Sequence, residues 1–206
     1  MQTLSPSLIT ALQAARDAGI APVYFVWIEA RNRATGAIES MGLWSGDEDA
    51  AFSVETPNGG TASREYLGGV NLEVDSLKSV ADLTDEPVTV SMSQIAGATQ
   101  QLVRGTDVRL AYVEIHATSR VGGALASIPQ LQWIGIVDDV QIATPQAGGD
   151  GRIGLTVRSA IMSQLLAVNP AKSSDSHQKR RQAGDEFSKY SASVQARKIQ
   201  WYKKDQ

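Results

Sequence analysis

The sequence predicts a mainly β protein: a β-barrel domain over residues 1–171, with short flanking helices and an extended C-terminal arm over 172–206. Three observations carry this reading. About eight short β-patterned runs sit at close spacing between residues 21 and 159. Helical periodicity is confined to short stretches beside them. The charge then changes sign: residues 1–171 hold 10 Lys and Arg against 18 Asp and Glu, a balance of −8, whereas 172–206 hold 9 against 4, a balance of +5. A split of this kind points to a segment with a different partner from the rest.

Each element follows from local chemistry. Ser5 suits an N-cap and Pro6 the first helical position; Leu8, Ile9, Leu12 and Ala15 then share a face up to Gly19. Val23–Ala30 is β-branched and aromatic with apolar residues on both faces, so it reads as a central strand. Asn32–Gly36 is a turn and Ala37–Trp44 its returning partner. Residues 45–62, punctuated by Asn58-Gly59-Gly60, read as a long loop. Strands are expected at Val70–Val74, Ser79–Leu83 and Pro87–Ser93, and a short helix over Ala96–Arg104 stopped by Gly105. Val108–Ala117 is a long strand with Leu110, Tyr112 and His116 on one face and Ala111, Val113 and Ile115 on the other. Thr118–Pro129 reads as a loop and Leu131–Ala143 as a strand. Gly148-Gly149-Asp150-Gly151 turns into a strand over Arg152–Ser159, followed by a helix over Ala160–Val168 that Asn169-Pro170 ends. Together these argue a β-rich barrel or sandwich, with a mixed barrel expected at its centre. The arm carries Phe187, Tyr190, Trp201 and Tyr202, too sparse for a core of its own.

Composition excludes several chemistries. With no cysteine there is no disulfide, thiolate nucleophile or cysteine-held zinc or iron–sulfur cluster. The longest apolar runs, such as Ala21–Ile28, fall far short of the ~20 residues of a membrane helix, so no membrane partner is expected. Met1-Gln2-Thr3-Leu4 has no basic region, so no signal peptide is expected.

Candidate reactive groups are few. His116 lies two residues from Glu114 on the same strand face, but no nucleophile is near in sequence, and it reads as a half-buried structural histidine. His177 reads as solvent-facing or interfacial. Asp47-Glu48-Asp49 is the best metal candidate, yet it lacks calcium-loop spacing and reads as a solvated loop. Asp138 and Asp139 point to opposite faces of a regular strand and cannot share a proton. The glycine pairs lack the lysine and the strand–helix context of phosphate loops. No catalytic, cofactor or metal residue emerges, and no enzymatic role is expected. Lys179, Arg180 and Arg181, with the arm's aromatics Phe187, Tyr190, Trp201 and Tyr202, are the candidate inter-subunit contacts. Two rival readings are a small glycan-directed hydrolase using two carboxylates and a nucleic-acid-binding adaptor using the basic arm.

The order PVYFVWIEA, GLWSG, REYLGGVNLEVDSLKSVADLTDEPVTVSMSQI, LQWIGIVDDVQI and GRIGLTVRSAI, followed by SDSHQKRRQAGDEFSKY, resembles the small hub or tail-tip (baseplate) proteins of long-tailed bacteriophages and gene transfer agents. The most distinctive stretch is the basic run before Gly184-Asp185-Glu186-Phe187. The resemblance implies a virion component made in the host cytoplasm and placed at the tail tip. It would form a ring, a trimer with a hexamer as the alternative, between a distal tail protein and a central fibre or tip protein, with the tape-measure protein a further candidate partner. Some lambda-like relatives carry a cysteine-held iron–sulfur cluster; this chain has no such ligands, and no cofactor is implied.

Overall fold

A computed structural model describes residues 4–15, 20–78, 84–146, 151–166 and 174–194. The chain divides into two compact units, Met1–Leu166 and Ala167–Gln206. Strands take up 47% and helices 20%, so the mainly β class holds, and the principal sheet curls into a half-barrel.

The first unit begins with helix α1 (Pro6–Ala14), capped as expected: Ser5 Oγ accepts from the Leu8 N–H at 3.3 Å, and Pro6 occupies the first turn. Leu8 and Ala15 are the buried members of its narrow stripe. Strands β1 (Ala21–Asn32) and β2 (Ile38–Trp44) follow, then β3 (Ala50–Glu55), β4 (Thr61–Tyr66), β5 (Glu73–Val74) and β6 (Val88–Ser93). Helix α2 (Gly97–Gly105) leads to β7 (Thr106–Val121), β8 (Ala124–Leu125), β9 (Gln130–Ala143), β10 (Arg152–Ser159) and helix α3 (Ala160–Leu166). The large sheet runs β2-β1-β7-β9-β10-β6-β5, with β8 added to β7; β3 and β4 form a separate hairpin. Every ladder among the described residues is antiparallel, where a mixed barrel was expected. Among the described residues the one parallel contact is the Leu43–Leu67 bridge.

β1 is the central strand its sequence foretells, paired with β2 on one side and β7 on the other. Its two apolar faces serve two cores. Val26, Ile28 and Ala30 join the main core with Leu43, Val90, Leu102, Val113, Ile115 and Leu155. Val23 and Phe25 face outward into a second cluster with Trp44, Val54 and Tyr66.

Four expectations need correction. Residues 45–62 are not a long loop: they contain β3 and most of a hairpin, because Phe52 and Val54 alternate with Ala51 and Ser53 at strand period. The turn closes through the Thr56 N–H to Gly60 O at 2.8 Å, with Gly59 at φ +79°. The strand expected at Val70–Val74 shrinks to Glu73–Val74, since Asn71 at φ +48° interrupts the extended run. The loop expected at Thr118–Pro129 is strand up to Val121 and again at β8, pairing Arg120 with Leu125. Leu110 does not continue the face of Tyr112. It adopts φ +63° where the β1–β7 register breaks between Glu29 and Arg31, and it is left exposed. The strand expected at Ser79–Leu83 and the breakers Gly19, Gly148-Gly149-Asp150 and Asn169-Pro170 lie outside the described residues.

Candidate functional site

The outer face of the sheet is built in register. On β7, Tyr112, Glu114 and His116 point outward, while Ala111, Val113 and Ile115 enter the main core. Across on β1 they stand opposite Glu29, Trp27 and Phe25 respectively. The β3–β4 hairpin covers this surface with its inward residues Phe52, Val54, Arg64 and Tyr66. Phe25 lies at the centre of the aromatic packing, 5.0 Å from Phe52, 5.2 Å from Tyr66 and 5.6 Å from Trp44 between ring centroids. Phe52 and Tyr66 meet it edge-on and Trp44 stacks on it, and aromatic pairs in both geometries add stability beyond the area they bury.

Gly42 lets the hairpin seat. A Cβ at that position would overlap the Glu65 carbonyl oxygen and lie 2.8 Å from Tyr66 Cδ1. Beside it the Leu67 N–H donates to Gly42 O at 2.9 Å, and the Trp44 N–H donates to Leu67 O at 3.1 Å.

Under this cover sits a buried polar cluster. Arg64 Nη1 donates to Glu114 Oε2 at 2.6 Å, and its guanidinium lies 4.5 Å over the Trp27 ring. His116 Nε2 is 2.8 Å from the Glu55 carbonyl and 3.6 Å from Glu114 Oε2. His116 is therefore fully buried, not half-buried as expected, because the hairpin missed in sequence lies over it. Burial lowers its pKa from the ordinary value, against the raising effect of the Glu55 and Glu114 oxygens. Burial works against the Arg64 charge, but its hydrogen bond to Glu114 and the Glu114 charge together prevail and hold its pKa above the usual value. Tyr66 is pushed up to about 12 by burial, and Tyr112 to about 12 by burial and then by the Glu114 carboxylate.

The chemistry open to this cluster is narrow. Glu114, the buried acid, is neutralised by Arg64, and His116 spends a ring nitrogen on a backbone carbonyl. Among the described residues no set of three or more His, Asp or Glu side chains is gathered to hold a metal ion. The Asp47–Asp49 carboxylates are exposed; the loop is shaped by Trp44 Nε1 donating to Glu48 O at 2.7 Å and the Gly68 N–H donating to Asp49 Oδ1 at 2.9 Å. Asp138 sits at a register break between β9 and β10 and pairs with Arg158 Nη2 at 3.1 Å. Tyr112, Leu131, Trp133, Ile134 and Ile161 line a mainly apolar groove of about 510 Å³.

The second unit holds the contact residues expected from sequence. Helix α4 (Asp175–Arg181) is capped by Ser174, whose Oγ accepts from the His177 N–H, and His177 is half-buried. Lys179, Arg180 and Arg181 form its last turn, where cations complement the helix dipole. Lys179 Nζ donates to Asp175 Oδ2 at 2.8 Å; Arg180 and Arg181 are exposed. The Gly184-Asp185-Glu186-Phe187 stretch is a turn. Asp185 Oδ1 accepts from the Phe187 N–H at 2.9 Å, and the Ser188 N–H donates back to Gln178 Oε1 at 3.2 Å. This turn holds Phe187 outward at 89% exposure, with Tyr190 at 65% just before the short helix α5 (Ser191–Val194). Trp201 and Tyr202 lie outside the described residues.

Sequence reasoning missed Arg64 and Tyr66 as members of the buried cluster. The available signal was the alternation Ala62, Arg64, Tyr66 against Ser63 and Glu65 beside an Asn-Gly turn. Comparison of the chain with models of known protein families, and with characterised proteins, finds no match.

Proposed function

We propose that this chain is a structural subunit of a bacteriophage-type tail tip. It forms a hub ring that links the distal tail to a central fibre or tip protein, and its role is structural rather than catalytic. The observation that carries the reading is the second unit. A side-chain-bonded turn presents Phe187 and Tyr190 to solvent beside the exposed cations Arg180 and Arg181. Large aromatic residues held outward on an ordered turn suit pockets on a partner, and the opposite charges of arm and body favour a neighbouring copy of this chain. The trimer, and the distal tail, fibre and tape-measure neighbours, come from the family resemblance.

Light scattering on the full chain across concentration and salt tests self-association. The expected result is a trimer that Phe187→Ala with Tyr190→Ala dissociates without loss of folding. Electron microscopy of assembled tails tests the location, with density expected at the distal end. A chain that stays monomeric at every concentration and binds no tail component would overturn the reading. Retention of single-stranded DNA through Arg180 and Arg181 would favour the adaptor reading instead.

A further inference from the structure

We propose that the β3–β4 hairpin is a proton-operated cover: its seat on the sheet requires a neutral His116, and protonating that ring lifts the hairpin from the aromatic layer beneath. Glu55, at the end of β3, joins the hairpin to the sheet three times. Its carbonyl meets His116 Nε2 at 2.8 Å, its N–H donates to Pro129 O at 3.0 Å, and its Oε2 accepts from the Leu131 N–H at 3.1 Å. A carbonyl only accepts, so Nε2 carries the proton and Nδ1 is the bare nitrogen of a neutral ring. Nδ1 is buried with no hydrogen-bond partner.

A second proton at Nδ1 would create an N–H with no acceptor in a side chain that is fully buried. It would also place a cation near the Arg64 guanidinium. The charged groups that act on the ring are Glu114 from β7, Arg64 from β4 and Glu55 from β3, while β1 and β9 place the uncharged Phe25 and Leu131 opposite it. The Glu55 carbonyl at 2.8 Å and the Glu114 carboxylate at 3.6 Å favour the cation, but Arg64 already holds that carboxylate at 2.6 Å. Burial outweighs that attraction and keeps the ring's pKa below its ordinary value of 6.5. A base that binds protons less well when covered than when open favours the open form in acid. The cover is at full strength above about pH 6.5 and weakens as the pH falls through that value toward the covered pKa. The main core lies on the opposite face of the sheet and keeps its packing, so opening is confined to the hairpin.

Hydrogen exchange read by mass spectrometry on the full chain, corrected for intrinsic rates, tests this between about pH 8 and about pH 5. Protection over residues 50–66 is expected to fall as the pH drops, while β6 and β10 stay protected. Uniform loss across all three regions, or no loss at residues 50–66, overturns the proposal. His116→Gln keeps an N–H donor that does not titrate, and it should hold residues 50–66 protected across the range. An unchanged pH response in that variant overturns the assignment to His116. If the variant does not fold, the regional pattern in the unaltered chain decides the matter.

Discussion

Two ion pairs of nearly equal length serve opposite purposes in this molecule. Arg64–Glu114 spans 2.6 Å with side chains 14% and 4% exposed; Lys179–Asp175 spans 2.8 Å with side chains 42% and 33% exposed. The first lies under a hairpin, against Trp27, where either charge left alone would have little access to water. The second lies along one helix face, where water and salt replace either partner at little cost. Distance alone does not say what an ion pair does; burial decides. In the body, charge specifies where the hairpin sits. In the arm, it remains accessible to a partner.

The largest effect should come from breaking the buried pair one side at a time. Glu114→Ala or Arg64→Ala is expected to lower stability by roughly 3–5 kcal/mol, read as the shift in a denaturant midpoint. Replacing both, Arg64→Met with Glu114→Leu, should recover much of that loss. If the double variant were no more stable than the singles, the pair would not be an isolated charge contact. Next in size is Gly42→Ala, whose methyl group meets the Glu65 carbonyl and Tyr66 ring. Overpacking of this kind costs roughly 1–3 kcal/mol, and here it should act first on the hairpin, seen as changed Trp27 and Trp44 fluorescence.

Alkaline pH probes the same covered layer more gently. Tyr66 and Tyr112 are each pushed up to about 12. An acid whose folded pKa is raised contributes stability that is complete below the unfolded value of about 10 and is lost as the pH rises through the folded value. Ultraviolet titration should therefore show two of the five tyrosines ionising late, in step with unfolding. Normal ionisation of Tyr66 would mean that the hairpin does not seal it against the sheet. The smallest effect belongs to the arm. Lys179→Ala should leave the denaturant midpoint where it is, and any change should appear in the salt dependence of the proposed self-association instead. A large stability loss there would erase the contrast between the two regions.

Much of the fold is legible in short-range pattern. The two-faced run Val23–Ala30, the half-buried alternation of β6, the Ser5 cap and the span of β10 all follow from side-chain period and capping chemistry. The β3–β4 hairpin was equally legible: Asn58-Gly59 between alternating runs is a hairpin signal, and reading it as loop punctuation hid the strands. The charge split between body and arm, and the outward character of Phe187 and Tyr190, also belong to the sequence.

Tertiary structure alone decided what covers the outer face of the sheet. Alternation along β7 places Glu114 and His116 side by side, but it does not name Arg64, fifty positions earlier, or the carbonyl of Glu55, sixty-one earlier, as their partners. The left-handed turn at Leu110 likewise has no local cause; it sits where β1 and β7 lose register. Period and capping act over a few bonds of chain, so they are written locally. Which buried charge meets which depends on how separate strands come to share one small volume, and that is settled only when they pack.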